Sequence, residues 1–375
     1  MSTSTTHHAT TLRAPFDEAA LRRLADDLWE AVSRGDEHAA YGVVLGAHDA
    51  GADHESLLID VIGTVQRTVG QEWAANRMSV AREHAATAIN DRVVAALAAR
   101  HTPSAGGERR GRITVACVDG EWHALPARLL AEVLRLRGWH VDYLGAQVPA
   151  QHLIGHVHRT GPDAVALSSS LATRLPAAHA AVTACQAVGV PVLTGGAAFG
   201  ADGRYAGMIG ADAWAPDARA AADLLAERPL TRPFTGHQPI DDLPHLADQE
   251  YTLVSRDSVR LVRAALTGLE DRFPAMRTYT ERQRQHTAED LGHIVDFLAV
   301  ALYTDCERLF TDFLTWTAGI LTARSVPAAS LLPTLDVLRT ELKDFPRACR
   351  LIDRAHEALD DPAAPAPRSG SGVSR

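Results

Sequence analysis

The stretch Val115–Leu130, VACVDGEWHALPARLL, decides the fold. It opens as a short β-branched apolar run that ends near Val118. It breaks at Asp119-Gly120 and reads as helix from about Ala124. Between strand and helix sits Glu121-Trp122-His123. A histidine on the loop at the carboxyl end of a first parallel strand projects into the crevice where open α/β sheets bind ligands. A neutral imidazole there can serve as an axial ligand to a transition metal. Taken alone, a loop histidine is more often a solvated side chain.

Outward from this stretch the chain alternates strand and helix. Strand-like runs fall at Ile113–Val118, His140–Leu144, Ala164–Ser168, Pro191–Thr194 and around Ala213–Trp214. Helical runs separate them, at Leu125–Arg137, Gln151–Arg159, Leu175–Val188 and Ala218–Glu227. This spacing predicts βαβ units over 110–230 and a parallel, doubly wound, Rossmann-like (flavodoxin-like) sheet. The strand ends carry Asp119 to His123, Leu144-Gly145-Ala146, Ser168-Ser169-Ser170 and Thr194-Gly195-Gly196. Neither GxGxxG nor GxxxxGK[ST] occurs, which argues against a dinucleotide or nucleoside triphosphate. Small residues at several loops suit a cofactor with a long buried tail. Simple turn chemistry accounts equally for the glycines.

Residues 15–103 read as a four-helix bundle. Helices are expected at Asp17–Arg34, Glu37–Ala50, Glu55–Ala75 and Ser79–Arg100, joined by short polar connections that favour an antiparallel arrangement. Trp73 falls near the end of the third helix, and Glu83-His84 in the second turn of the fourth. Singly, these residues have plain readings: a core tryptophan, an acid at a helix amino end, a buried histidine.

The pattern Trp73-x9-Glu83-His84, in WAANRMSVAREH, followed by the loop Glu121-x-His123, resembles the light-sensing cobalamin-binding domains of bacterial photoreceptor repressors. The resemblance covers roughly Pro15 to Pro229. It implies adenosylcobalamin as cofactor, with the bundle over its upper face and the Rossmann-like domain under its lower face. It implies that Trp73 packs against the adenosyl group and that Glu83 and His84 line the upper cavity. It further implies that Glu121 and Trp122 belong to the lower-face loop and that His123 is the lower axial ligand to cobalt. Ser168 and Ser170 would hydrogen-bond the nucleotide tail, and Gly195-Gly196 would let the backbone approach it. The sequence departs from the wider pattern in three places. Pro126 stands where the usual His-x-x-Gly loop has glycine, and Glu121 where most cobalamin enzymes have aspartate. Ala74 stands where some relatives have a histidine.

After a Pro-rich linker, 231–245, residues 246–361 read as all-α. Helices are expected at Val254–Leu269, Glu281–Leu302, Cys306–Ala323, Ala328–Lys343 and Pro346–Leu359. On Glu281–Leu302, His286, Asp290, His293 and Phe297 share one face at i, i+4, i+7 and i+11. The run Asp290 to Trp316 resembles the globin-like, bilin-binding domain of photocobilins. By that resemblance Asp290 would bond pyrrole nitrogens and His286 or His293 would pack on biliverdin, with Phe297 on the same face. Arg277 and Arg282 would reach its propionates. Non-covalent binding is expected despite Cys306. Haem ligated by His293 is the rival.

The 375 residues allow two or three domains. The net charge of −9 argues against a nucleic-acid surface. The four cysteines form no CxxC pair, and no signal peptide or membrane span is evident. Residues 1–14 and 362–375 are expected to be disordered. The whole reads as a cytoplasmic, non-enzymatic light sensor with adenosylcobalamin and biliverdin, whose photolysis changes conformation or quaternary structure. The expected partners are further copies of the chain and a regulated enzyme, with no membrane and no direct nucleic acid. No helix-turn-helix or basic patch precedes residue 15. A corrinoid methyl carrier of a methyltransferase system and a haem-based sensor are the alternatives.

Overall fold

A computed structural model describes residues 16–101, 110–227, 230–231, 242–272, 276 and 278–360. The two tails expected to be disordered, most of the linker and Arg277 lie outside the described residues. The chain forms two compact units. The first joins Met1–Val69 to His84–Thr102, and the second joins Gly70–Glu83 to Pro103–Arg375.

The first unit is helical. It contains α1 (Glu18–Arg34), α2 (Glu37–Asp49), the short α3 (His54–Ser56), α4 (Gly63–Ala74) as far as Val69, and α5 (Val80–Ala98) from His84 onward. Aspartates start three of these helices. Asp17, Asp36 and Asp53 accept from the amides of Ala20, Ala39 and Ser56 at 2.7, 2.9 and 2.8 Å. Leu28, Val44, Leu58, Ile62, Val93 and Leu97 fill the interior. Gln66 crosses to α5, donating to Thr87 Oγ1 at 2.8 Å and accepting from Asn90 Nδ2 at 2.9 Å. Leu57–Ile62 is a π-helical turn between α3 and α4, where an unbroken α-helix was expected.

The second unit is built on five parallel strands in the order β2-β1-β3-β4-β5. They are β1 (Arg112–Cys117), β2 (His140–Gly145), β3 (Ala164–Ser168), β4 (Val192–Gly195) and β5 (Ala213–Ala215). Between them run α6 (Ala124–Leu136), α7 (Ala150–Thr160), α8 (Leu175–Ala187) and α9 (Arg204–Met208), and α10 (Ala218–Glu227) follows β5. Ile113 to Val118 and Ala164 to Ser168 are buried throughout, as strands covered on both faces require. β1 pairs with β2 on one side and β3 on the other, so the strand order reverses there. The loops after β1 and β3 therefore flank the crevice in which such sheets bind ligands.

Six longer helices follow: α11 (Glu250–Arg256), α12 (Ser258–Arg272), α13 (Glu281–Thr304), α14 (Glu307–Ala323), α15 (Leu332–Glu341) and α16 (Pro346–Asp360). The single helix expected over Val254–Leu269 is two, divided at Asp257. Thr280 and Gln283 form a capping box that starts α13. One hydrophobic cluster runs from Leu167 and Val182 of the sheet layer to Leu298, Phe310 and Leu338. Buried His179 on α8 pins the two layers, with Nδ1 2.8 Å from Tyr303 Oη and Nε2 2.9 Å from Asp242. The described end of the expected linker is thus packed, and Leu243 is buried. Among the described residues no helix is long and apolar enough to cross a membrane.

Gly196 has φ +101°, and a Cβ there would lie 2.3 Å from the Ser169 carbonyl oxygen. Gly196→Ala should therefore destabilise by about 1–3 kcal/mol in urea unfolding. Gly207→Ala, on open helix surface, should be neutral or stabilise by up to roughly 1 kcal/mol.

Candidate cofactor site

β1 delivers the chain to the crevice, and a tight turn redirects it into α6. The Glu121 amide donates to the Val118 carbonyl at 2.9 Å, and Gly120 takes φ +74°. His123 is the residue before the first turn of α6. Pro126 sits within that first turn, where the amide it lacks has no helical partner to lose. That is why the departure from His-x-x-Gly leaves the fold intact.

Glu121 has no exposed surface. Its Oε1 lies 2.5 Å from His123 Nδ1 and accepts the His123 amide at 2.9 Å. Its Oε2 accepts from Ser169 Oγ at 3.0 Å, the Ser170 amide at 2.7 Å and the Leu171 amide at 3.0 Å. One carboxylate thus ties the loop after β1 to the loop after β3. Burial by itself raises this carboxyl. The His123 hydrogen bond and charge, with the His123 and Ser170 amides, outweigh burial and hold it at about 2. A carboxylate this acidic is an acceptor only, so the proton in the pair sits on Nδ1 of His123. In the neutral form of a ring protonated on Nδ1 the lone pair is on Nε2.

Further contacts fix the loop. Trp122 stacks on the His123 ring with centroids 3.9 Å apart. Gln147 N donates to the Glu121 carbonyl at 2.8 Å, and Tyr143 Oη to the Ala124 carbonyl at 3.2 Å. The Arg174 guanidinium lies over Gly120, so that a Cβ there would stand 2.9 Å from Nη1. Cys117 Sγ donates to the His123 carbonyl at 3.8 Å; burial pushes its thiol up to about 12, so it stays protonated.

The other expected residues are placed as follows. Ser168 ends β3 and is buried. Ser170 meets Glu121 through its amide. Gly195 ends β4, and Gly196 follows it, pressed against Ser169. Glu83 is buried in the second unit, and His84, the next residue, is exposed in the first. Trp73 is 3% exposed and packs on the C-terminal helices, 6.2 Å from Trp316 between ring centroids. On α13, Arg282 and His286 are exposed, with Arg282 Nε donating to His286 Nε2 at 3.4 Å and His286 Nδ1 3.3 Å from Glu289. Asp290 is half-buried and His293 exposed. Phe297 needs correction: on the same side of the helix as His286 and His293 it is 5% exposed and stacks on Phe313 at 3.7 Å, so it belongs to the core and not to an open binding face.

Sequence reasoning missed Ser169, the Leu171 amide, Arg174 and Arg324, and read Trp316 only as part of the globin-like run. The three consecutive serines signalled a polar loop without saying which one faces Glu121.

Two stretches match the description "B12 binding domain": residues 111–225 in one family and residues 24–98 in another. The chain carries a cobalamin-binding module. Among curated proteins it is similar to the HTH-type transcriptional repressor CarA of Myxococcus xanthus, at 31% identity over 41% of this chain and 50% of that protein. It is also similar to the HTH-type transcriptional repressor CarH of the same organism, at 32% over 37% and 46%. The chain thus spans about half the length of the curated relatives it matches. Among solved structures it is similar to the Methanosarcina barkeri monomethylamine corrinoid protein, at 18% identity and TM-score 0.49 over 55% of this chain and 98% of that one. The chain is thus similar, over part of its length, to HTH-type transcriptional repressors. These repressors overturn the expectation of no direct nucleic-acid contact, which had rested on net charge and on finding no helix-turn-helix or basic patch before residue 15. Both matched stretches end by residue 225, so neither reaches the region of the globin-like and bilin expectations.

With its carboxyl held at about 2 against an ordinary 4.5, Glu121 favours the folded state above about pH 4.5. That contribution falls away as pH drops toward 2, with a slope approaching about 1.4 kcal/mol per pH unit. Glu121→Gln should flatten the unfolding free energy over that window, as followed by urea titrations at several acidic pH values.

Proposed function

We propose that this chain is a light-responsive regulator that holds adenosylcobalamin, with His123 as the lower axial ligand to cobalt. The observation that supports this most is the Glu121–His123 pair at the strand-order reversal, inside the stretch that matches a B12 binding domain. The residues fit the group: one imidazole at the strand ends, its outer nitrogen engaged by a buried carboxylate that fixes tautomer and ring orientation. When bound, adenosylcobalamin supplies a cobalt–carbon bond that light breaks. This chain's own residues bind and orient. Glu121 holds the His123 ring, Trp122 stacks on it, and Ser168, Ser170, Gly195 and Gly196 line the path for the tail. Trp73 and Glu83 are assigned to the upper group. The output we assign is control of transcription, the role named for both curated relatives, exerted in the cytoplasm. Biliverdin on the Arg282, His286, Asp290 and His293 face of α13 is the second component of the reading, and it rests on sequence resemblance.

The test is an absorption spectrum of protein loaded in the dark with adenosylcobalamin and biliverdin, desalted, then lit with green light. A retained cobalamin spectrum that changes irreversibly on illumination is expected, with a protein-shifted red bilin band. Loss of all cobalamin on desalting sinks the reading. A bilin band identical to the free pigment removes only biliverdin. Sustained methyl transfer from bound methylcobalamin would instead favour the carrier alternative, and a Soret band the haem sensor. Glu121→Gln should weaken cobalamin binding about 10- to 100-fold, the usual effect of removing a carboxylate behind a ligating histidine. His123→Ala should abolish the spectral signature of imidazole ligation.

A further inference from the structure

We infer that Trp316 and Arg324 are positioning residues for Trp73, so that the C-terminal helices set how the cofactor's upper group is received. The inference rests on the cobalamin reading above.

Trp73 lies at the end of α4, in the segment Gly70–Glu83 that packs with the second unit. Trp316 meets its ring at 6.2 Å between centroids, tilted by 35°. The Arg324 guanidinium carbon sits 5.4 Å from the centroid of the same ring. Three residues on, Asn76 takes φ +57° and its Nδ2 donates to the Ala323 carbonyl at 3.4 Å, at the end of α14. The end of α4 and the turn after it are therefore held at three points along the second half of α14 and its cap. From Trp316 the aromatic series continues to Phe313 at 6.4 Å and from there to Phe297. It enters the core around Phe310, which has no exposed surface.

Arg324 is the informative member. Burial lowers its pKa, and among the described residues no carboxylate is paired with its guanidinium. A half-buried cation of this kind is compensated by the indole face, an interaction that strengthens as water is removed. Its position at the carboxyl end of α14 also suits a cation, but that role does not require the indole. Beside the ring lies a cavity of about 310 Å³, lined also by Met78, Ser79 and His286. That is the lower end of the range for ligand cavities. It is large enough for a single flat ring system with its sugar. A tryptophan held by Trp316 and by Arg324, which lines the same cavity, is preorganised to receive such a group.

The test uses the full chain and compares wild type with Trp316→Ala, Arg324→Gln, Arg324→Lys and the surface control Arg308→Gln. Each is titrated in the dark with adenosylcobalamin and with methylcobalamin, whose upper group does not reach a nucleoside-sized cavity. Trp316→Ala and Arg324→Gln should weaken adenosylcobalamin by up to about tenfold, the scale of a desolvated cation–π contact. Methylcobalamin affinity should be unchanged, Arg324→Lys should restore part of the loss, and Arg308→Gln should have no effect. Equal weakening for both cobalamins, no change, or tighter binding overturns the inference. A second readout needs no cofactor. The near-UV circular dichroism of Trp73→Phe, Trp316→Phe and the double variant should be non-additive, and additivity overturns the pairing. Failure of the wild type to bind either cobalamin sinks the cofactor reading itself. Binding with unaltered variants sinks only this inference.

Discussion

A single buried carboxylate holds the crevice of the second unit together. Glu121 spans two loops that are distant in sequence and adjacent in space, with one oxygen for an imidazole and an amide, the other for a hydroxyl and two amides. Every acceptor position is used by a donor, which is the condition under which a buried charge is tolerable. Removing any one partner exposes the others to a poorly compensated charge. The histidine, the serine loop and the strand-order reversal are therefore one object energetically, although the chain reaches them some fifty residues apart.

Much of this object is legible in the sequence, and for identifiable reasons. The apolar run to Val118, the Asp119-Gly120 break and the helix after His123 carry local signals, and the structure has a strand, a turn and a helix there. The Glu-x-His spacing brings carboxylate and ring together because both lie on one tight turn. What pairs with the second oxygen is not legible: two of its three partners are peptide amides, which every residue but proline possesses. Arg174 over Gly120 is hidden for a related reason, since nothing in a sequence says where a long flexible side chain comes to rest. Trp73 could be singled out by its spacing to Glu83, but its neighbour Trp316 comes from another part of the chain, where only tertiary packing selects it.

The histidine-bearing helix shows a different limit. His286, Asp290, His293 and Phe297 share a face by helical geometry, yet Phe297 is in the core while His286 and His293 are exposed. The environment of α13 changes along its axis, not only around it. Its first turns stand against solvent, and from Phe297 to Thr304 every residue is buried. Periodicity reads the angle of a side chain about the axis and is blind to how deep that end of the helix runs. The π-helical turn at Leu57–Ile62 escapes sequence reading for a kindred reason, because an apolar helix with one extra residue per turn keeps the same composition.

Pro126 has a consequence for how the loop before it can move. Helices readily lengthen by winding a preceding residue onto their amino end. For α6 to grow backward through His123, Pro126 would have to bond the Trp122 carbonyl with an amide it does not have, and its ring would collide with that carbonyl. The proline therefore acts as a ratchet stop: the loop can flex, but it cannot be reeled into the helix. The imidazole stays at the mouth of the crevice whatever happens on the far side of it.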